Sequence, residues 1–142
     1  MGDFYPTVVP MLAYEDAGAA ADWLCRAFGF RERRDHRYVG SDGLVSHAEL
    51  EAGDGLIMLA TPTADYQSPA HHRQTCSDAD RWLSVPWVVD GVLVHVPDVK
   101  AHMRQAVNAG AHVLGAIEDG PDGKLYRVED LEGHRWMFHE PM

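Results

Sequence analysis

The sequence predicts an α+β fold built from two tandem βαβββ modules, one in each half of the chain. Each half contains a strand, a helix and three further strands joined by glycine turns. The two helices would run from aspartate to glycine over nearly equal spans, Asp16 to Gly29 and Asp98 to Gly110. Six basic and eleven acidic residues lie on each side of the bond after Thr75, so the halves also carry equal charge. Such a repeat indicates a duplicated unit.

The first unit is predicted over residues 7–60. Alternating apolar residues predict a strand over 7–14, in which Pro10 favours an edge position because it lacks an N–H donor. A helix follows, with Asp16 as its N-cap, an apolar stripe, and Gly29 at its end. The remaining strands are predicted at 31–39, 44–52 and 56–60. Arg31, Arg33, Arg34 and Arg37 alternate with acids in the first of these, which is typical of a solvated strand edge.

The second unit is predicted over residues 90–140 and repeats this order. A strand at 91–96 leads into a helix with Asp98 as its N-cap and Gly110 at its end. An apolar stripe at helical spacing lies between these two residues and would face the sheet. Further strands are predicted at 112–116, 125–128 and 134–139, with turns at 120–123 and 132–133.

Residues 61–89 between the units are predicted to be a junction loop, because they contain three prolines and no clear hydrophobic period. Connections of this length are usually functional or mobile. Two interpretations of the adjacent His71 and His72 remain open, a lid over a binding site and a merely mobile loop. Trp82 and Trp87 are amphipathic aromatics that would cover a cleft or a dimer interface.

The composition excludes several classes of function. The chain has 142 residues and a formal charge of −10, with 22 acidic and 12 basic residues. This charge disfavours nucleic acids and acidic membrane surfaces as partners. No apolar run approaches the roughly 18 residues of a membrane span, and the N-terminal segment does not resemble a secretion signal. Two widely separated cysteines suit a reducing compartment, so a cytoplasmic protein is expected.

Three segments resemble the vicinal oxygen chelate superfamily, which includes glyoxalase I, bleomycin-resistance proteins and extradiol dioxygenases. They are DAGAAADWLCRAFGF at 16–30, VPDV at 96–99, and VEDLEGHRWMF at 128–138, which looks like the closing strand of the family with Leu131 where proline is commonest. The resemblance implies one domain over residues 1–142 with the glyoxalase/bleomycin-resistance fold, in which the paired units form a curled mixed sheet around a cleft. It also implies a homodimer, which is common in this family.

The resemblance also locates the positions that hold a metal in many family members. Counted from the helix caps and the closing turn, these positions are Val9, Met58, Gly91 and Met137. Valine and glycine offer no donor atom, and a thioether is a poor ligand for Mg²⁺, Mn²⁺, Zn²⁺ or Fe²⁺. No cofactor is therefore expected, with a relocated divalent metal as the alternative. The usual glyoxalase I and extradiol dioxygenase mechanisms need that metal, so neither activity is expected.

Strand alternation predicts which side chains line the cleft, because every second residue faces it. The cleft-lining residues are predicted to be Val9, Met11, Met58, Leu93, His95, Arg135, Met137 and His139. Methionine side chains are flexible and polarizable, so such a surface can adapt to bulky ligands.

Two functions remain open. The first is a binding protein that holds a small, partly apolar or cationic molecule, such as an antibiotic, in the cleft. The second is an enzyme of the same fold, of lyase, isomerase or dioxygenase type. Its catalytic base would be His95, His139 or Glu49, or its metal ligands would be His47, His95 and His139. The identity of the ligand does not follow from the residues.

Overall fold

A computed structural model describes residues 3–142 and confirms the α+β class. The chain divides into two compact units between Tyr66 and Gln67. Each unit contains its own five-stranded sheet with both parallel and antiparallel pairs, and neither sheet closes on itself.

The first unit contains one long helix and five strands. In chain order they are β1 (Met11–Ala13), α1 (Ala17–Phe28), β2 (Arg31–Glu32), β3 (Tyr38–Val39), β4 (Val45–Ala52) and β5 (Gly55–Ala60). The sheet order is β1-β5-β4-β2, and β3 pairs with β4. The first strand is therefore at an edge, as Pro10 predicted, and it runs parallel to β5 with Met11 opposite Met58.

Both ends of α1 form as the sequence predicts. The Asp16 carboxylate accepts a hydrogen bond from the Ala19 N–H at 3.0 Å, which satisfies one of the free donors of the first turn. Gly29 ends the helix with a φ of 77°, a conformation that side chains with a Cβ rarely adopt. The buried side of α1 carries alanines together with Trp23 and Leu24, so the helix lies close against its sheet.

The predicted strand at 31–39 is wrong in its middle. A short 3-10 helix at Arg34–His36 separates β2 from β3. This turn brings the Arg37 guanidinium back to the Glu32 carboxylate, with hydrogen bonds of 2.7 and 2.8 Å, and to Asp22 at 2.8 Å. A straight strand would place Glu32 and Arg37 on opposite faces, because their separation is odd.

The second unit contains three helices and five strands. In chain order they are α2 (Pro69–Thr75), α3 (Ser77–Leu83), β6 (Gly91–His95), α4 (Val99–Asn108), β7 (His112–Val113), β8 (Glu118–Gly120), β9 (Gly123–Glu129) and β10 (Arg135–Pro141). The sheet order is β6-β10-β9-β7, and β8 pairs with β9. The predicted strand at 112–116 is shorter than expected, while β8 was not predicted. Its three residues are all exposed and carry no apolar pattern.

The junction contains two helices where a loop was predicted. Ser68 caps α2 by accepting from the His71 N–H, and Pro69 occupies the first helical turn, where its missing donor costs little. Each helix has only seven residues, too few to show a hydrophobic period. Ala70 in α2 lies against Gly133 in the turn before β10. Gly133 has a φ of 87°, and a Cβ on this residue would lie 2.7 Å from the Ala70 nitrogen. The bare Gly133 backbone thus allows α2 to lie against the turn before β10.

The segment that resembles the family's closing strand forms this turn around one buried carboxylate. One oxygen of Asp130 accepts from the Glu132 and His134 N–H groups, each at 3.0 Å. The other accepts from the Trp136 indole N–H, also at 3.0 Å. Trp136 and Phe138 are fully buried and anchor β10 in the core. Asp130 therefore joins the turn to the core.

The helix α4 is held at both its first turn and its middle. Asp98 accepts from the Ala101 N–H, and the Glu140 carboxylate accepts from the Val99 N–H at 2.9 Å. Further along, His102 Nδ1 lies 2.6 Å from the hydroxyl of the fully buried Tyr126. Among residues 3–142 there is no helix with the length and apolar character needed to cross a bilayer.

Alkaline pH is expected to destabilise the protein through Tyr126. Burial raises the pKa of this phenol above its ordinary value of 10.0. The pKa is raised only in the folded state, so the unfolded chain loses this proton at a lower pH. The contribution of Tyr126 to the free energy of unfolding is therefore complete below about pH 10 and is lost as the pH rises further. Urea unfolding between about pH 9 and about pH 11 should show a falling midpoint, and the fall should be smaller in Tyr126→Phe. Equal slopes in the two proteins would contradict this prediction.

Candidate functional site

The first unit has a surface pocket at the edge formed by β1 and β5. It has a volume of about 250 Å³ and is lined by Met11, Leu12, Ala13, Ser46, His47, Met58, Leu59 and Ala60. Met11 is 77% exposed and Met58 is half-buried, so their side chains offer apolar surface to a ligand. Alternation places the neighbouring Ile57 on the opposite, buried face. Val9, the remaining predicted cleft residue of this unit, precedes β1 and is half-buried.

Glu49 lies on the same face of the sheet, paired in register with Met58. Its side chain is buried, with 3% of the residue exposed. His47 Nε2 lies 2.7 Å from Glu49 Oε2, and the same His47 lines the pocket. The His47 imidazole therefore contacts both the pocket and a buried carboxylate. In many active sites a carboxylate in this position orients a catalytic base.

Arg33 and His36 surround this carboxylate from the other side. Arg33 Nη1 lies 3.6 Å from Glu49 Oε1, and His36 Nδ1 lies 3.8 Å from Glu49 Oε2. These two residues were not predicted as neighbours of Glu49, and the interpretation of the arginines as a solvated edge is wrong for Arg33, whose side chain is 9% exposed. The sequence signal for these contacts was the alternation of basic and acidic residues. Such residues can form buried ion pairs as well as face solvent.

In the second unit, four of the predicted cleft residues lie together on one face. Alternation along β6 and β10 leaves Leu93 and His95 exposed and Met137 and His139 half-buried on this face, while Trp136 and Phe138 are buried in the core. Leu93 is 45% exposed and lies opposite Met137, and His95 lies opposite His139. This face therefore carries an apolar pair next to a pair of imidazoles.

Arg135 occupies a different environment from the other predicted cleft residues. It is only 5% exposed, and its guanidinium donates to Glu129 Oε2 at 2.8 and 3.0 Å. It also donates to the Val85 carbonyl at 2.7 Å and to the Leu83 carbonyl. Arg135 thus ties the end of α3 to the sheet. Its backbone lies opposite Gly91, where a Cβ would lie 3.1 Å from the Arg135 carbonyl oxygen.

The residues at the family's four metal positions do not fit a metal ion. Val9 and Gly91 have no donor atom, and Met58 and Met137 have only thioether sulfur. Across residues 3–142, no three histidine, cysteine, aspartate or glutamate side chains form a group that could hold a metal. Of the alternative ligand set, His47 lies in the first unit, and His95 and His139 adjoin each other in the second.

A further pocket of about 360 Å³ lies within the second unit. Its lining includes Pro86, Trp87, Glu118 and Arg127, and the residues at 114–117 complete it. Trp87 is largely exposed, and an exposed indole offers a contact surface for a ligand or another protein. The sequence predicted that Trp87 covers a cleft or a dimer interface, but it did not predict a pocket beside residues 114–117.

Comparisons with known proteins agree with the fold described above. The family model described as Glyoxalase/Bleomycin resistance protein/Dioxygenase superfamily matches residues 8–138. The structure of TioX from Micromonospora sp. ML1 is 31% identical, with a TM-score of 0.68 over 99% of this chain and 100% of that one. The bleomycin-binding protein of Streptomyces verticillus, solved with copper(II)-bleomycin, is 18% identical, with a TM-score of 0.60 over all of both chains. TnmS3, an antibiotic binding protein from Streptomyces sp. CB03234, is 16% identical, with a TM-score of 0.61 over 99% and 100% of the chains.

Proposed function

The chain belongs to the Glyoxalase/Bleomycin resistance protein/Dioxygenase superfamily, and from this membership we propose that it binds a small, partly apolar or cationic molecule, such as an antibiotic, without a metal at the family's ligand positions. The observation that carries the proposal is the apolar surface at these positions. Met58 borders a pocket in the first unit, and Met137 lies beside the exposed Leu93 in the second.

The physical properties of these faces favour binding over metal chemistry. Thioether side chains contact aromatic and aliphatic groups of many shapes, so they suit a bulky ligand. The formal charge of −10 would attract a cationic molecule during diffusion. Two proteins of the same fold, the bleomycin-binding protein and TnmS3, are described as binding antibiotics, which supports the proposed ligand class.

We also propose a cytoplasmic homodimer. Val8, Met11 and Val39 in the first unit are each more than half exposed, and apolar side chains of this size favour burial against a partner.

A ligand screen by thermal shift tests the proposed function. We expect bleomycin or another cationic aromatic antibiotic to raise Tm, because a ligand at one hundred times its Kd stabilises the folded state by about 2.7 kcal/mol. Met58→Arg and Met137→Arg should each weaken binding at least about tenfold, since they place an unpaired charge against the ligand. Met142→Arg is the matched control, because Met142 is exposed at the end of the chain, outside both faces.

Two outcomes would contradict the proposal. One is a screen in which no compound shifts Tm, and the other is equal weakening by all three arginine variants. The second outcome would show that the added charge acts through the net field of the protein and not through a site.

A second candidate function, an enzyme with a histidine base, is favoured by the contact between His47 and Glu49. Their separation of 2.7 Å, with His47 bordering the pocket, is the geometry of a base held by a carboxylate. Any compound that binds should therefore also be followed by mass spectrometry for conversion. Turnover by the wild type that is lost in His47→Gln, with binding retained, would favour the enzyme over the binding protein.

A further inference from the structure

His95 and His139 form a pair of imidazoles on one face of the second sheet. They are register partners on the parallel strands β6 and β10, so the backbone fixes their Cα positions side by side. Their Nδ1 atoms lie 3.1 Å apart, with ring centroids separated by 5.1 Å and planes inclined at 62°. His95 is exposed and His139 half-buried, so an ion can reach both from solvent.

We propose that this pair is a two-imidazole binding site for a divalent transition metal, with Cu²⁺ bound most tightly. Metal-to-imidazole bonds are about 2.0–2.1 Å long, and two such bonds meeting at about 98° place their nitrogens about 3.1 Å apart. That angle lies between the square-planar and tetrahedral values. The observed Nδ1–Nδ1 separation therefore matches that of two nitrogen donors on one ion, which would replace the hydrogen bond between the rings.

The surroundings of the pair suit a copper ion. Imidazole nitrogen is a common ligand of copper, and Met137, two residues before His139 on the same face, adds a thioether that suits copper in its +1 state. For mixed nitrogen and oxygen donors, affinity also rises through the first-row metals to a maximum at Cu²⁺.

The site offers fewer protein donor atoms than a permanently occupied metal centre. Two protein nitrogens leave at least two coordination positions for water or for donor atoms of another molecule. The absence of a three-residue group in the described part of the chain agrees with this incomplete shell. The inference does not depend on the proposed function, because the metal can be titrated with no organic ligand present.

Titration of the untagged full chain with CuCl₂ at about pH 7.5 tests the site, with heat as the readout and electron paramagnetic resonance as a second one. We expect the tightest equivalent of Cu²⁺ to show hyperfine coupling to nitrogen. His95→Ala and His139→Ala should each weaken that equivalent at least about tenfold and reduce the coupling. His112→Ala is the matched control, because His112 is an exposed histidine on a strand of the same unit.

Unchanged copper affinity in either His95→Ala or His139→Ala would overturn the proposal, as would equal weakening by His112→Ala. Far-ultraviolet circular dichroism checks that each variant is folded. His95→Gln and His139→Gln, which keep a polar side chain of similar size, replace any alanine variant that is not. Copper binding and the antibiotic screen use different probes, so a failure of one leaves the result of the other intact.

Discussion

Arg135→Ala is expected to lower the free energy of unfolding by about 3–5 kcal/mol. The substitution removes the cation that neutralises Glu129, which is 7% exposed and would keep a buried, unpaired charge. It also removes the donor for the carbonyls of Leu83, the last residue of α3, and of Val85 just beyond it. Urea unfolding should show a lower midpoint at an unchanged m value.

Arg31→Ala is the matched control for this experiment. Arg31 also pairs with a glutamate, Glu51, at 2.9 Å, but its side chain is 82% exposed. Water competes for such a pair, so its loss should cost less than about 1 kcal/mol. The double variant Arg135→Met with Glu129→Leu should recover part of the stability, because it removes both charges together. A loss in Arg135→Ala no larger than in Arg31→Ala would refute the role given to the buried pair.

Asp130→Ala is expected to cost a similar amount, on the order of 3–5 kcal/mol, for a different reason. Its carboxylate accepts three hydrogen bonds, from the Glu132 and His134 backbones and from the Trp136 indole. Each donor left buried without an acceptor costs about 1–3 kcal/mol. Asp130→Asn retains one oxygen and should therefore lose less.

The control for Asp130 is Asp119→Ala, which removes an exposed aspartate from β8 in the same unit. Surface substitutions of this kind usually change stability by no more than about 0.5 kcal/mol. Near-ultraviolet circular dichroism should also change in Asp130→Ala, because the Trp136 ring loses its anchor. An Asp130→Ala midpoint equal to that of Asp119→Ala would show that water replaces the carboxylate at this turn.

The order of the elements in each unit was largely predictable from the sequence, because aspartate caps and glycine ends act locally. Asp16, Asp98 and Gly29 each have the predicted role, and the alternation along β10 separates Trp136 from Met137 as expected. The predicted junction loop was wrong because α2 and α3 are too short to show a period. Their helical form depends partly on distant contacts, such as that between Ala70 and Gly133.

For the candidate site, the sequence predicted which side chains share a face of the sheet. It did not predict which side chains contact one another. Strand parity correctly grouped Leu93, His95, Met137 and His139, since it depends only on the backbone. Parity could not predict that the Arg135 side chain is buried against Glu129, because Glu129 lies on a neighbouring strand. Likewise, the contact of His36 with Glu49 depends on the turn at Arg34–His36, which local residue preferences did not reveal.

The close approach of Gly91 to Arg135 limits which side chains position 91 could hold. Installing a histidine at Gly91 would press its Cβ against a carbonyl 3.1 Å away, and that carbonyl belongs to the residue whose side chain is held by Glu129, Leu83 and Val85. The backbone there has little freedom to retreat. A metal-binding side chain at position 91 would therefore require compensating changes around the strand, so this position resists the installation of a ligand by a single substitution.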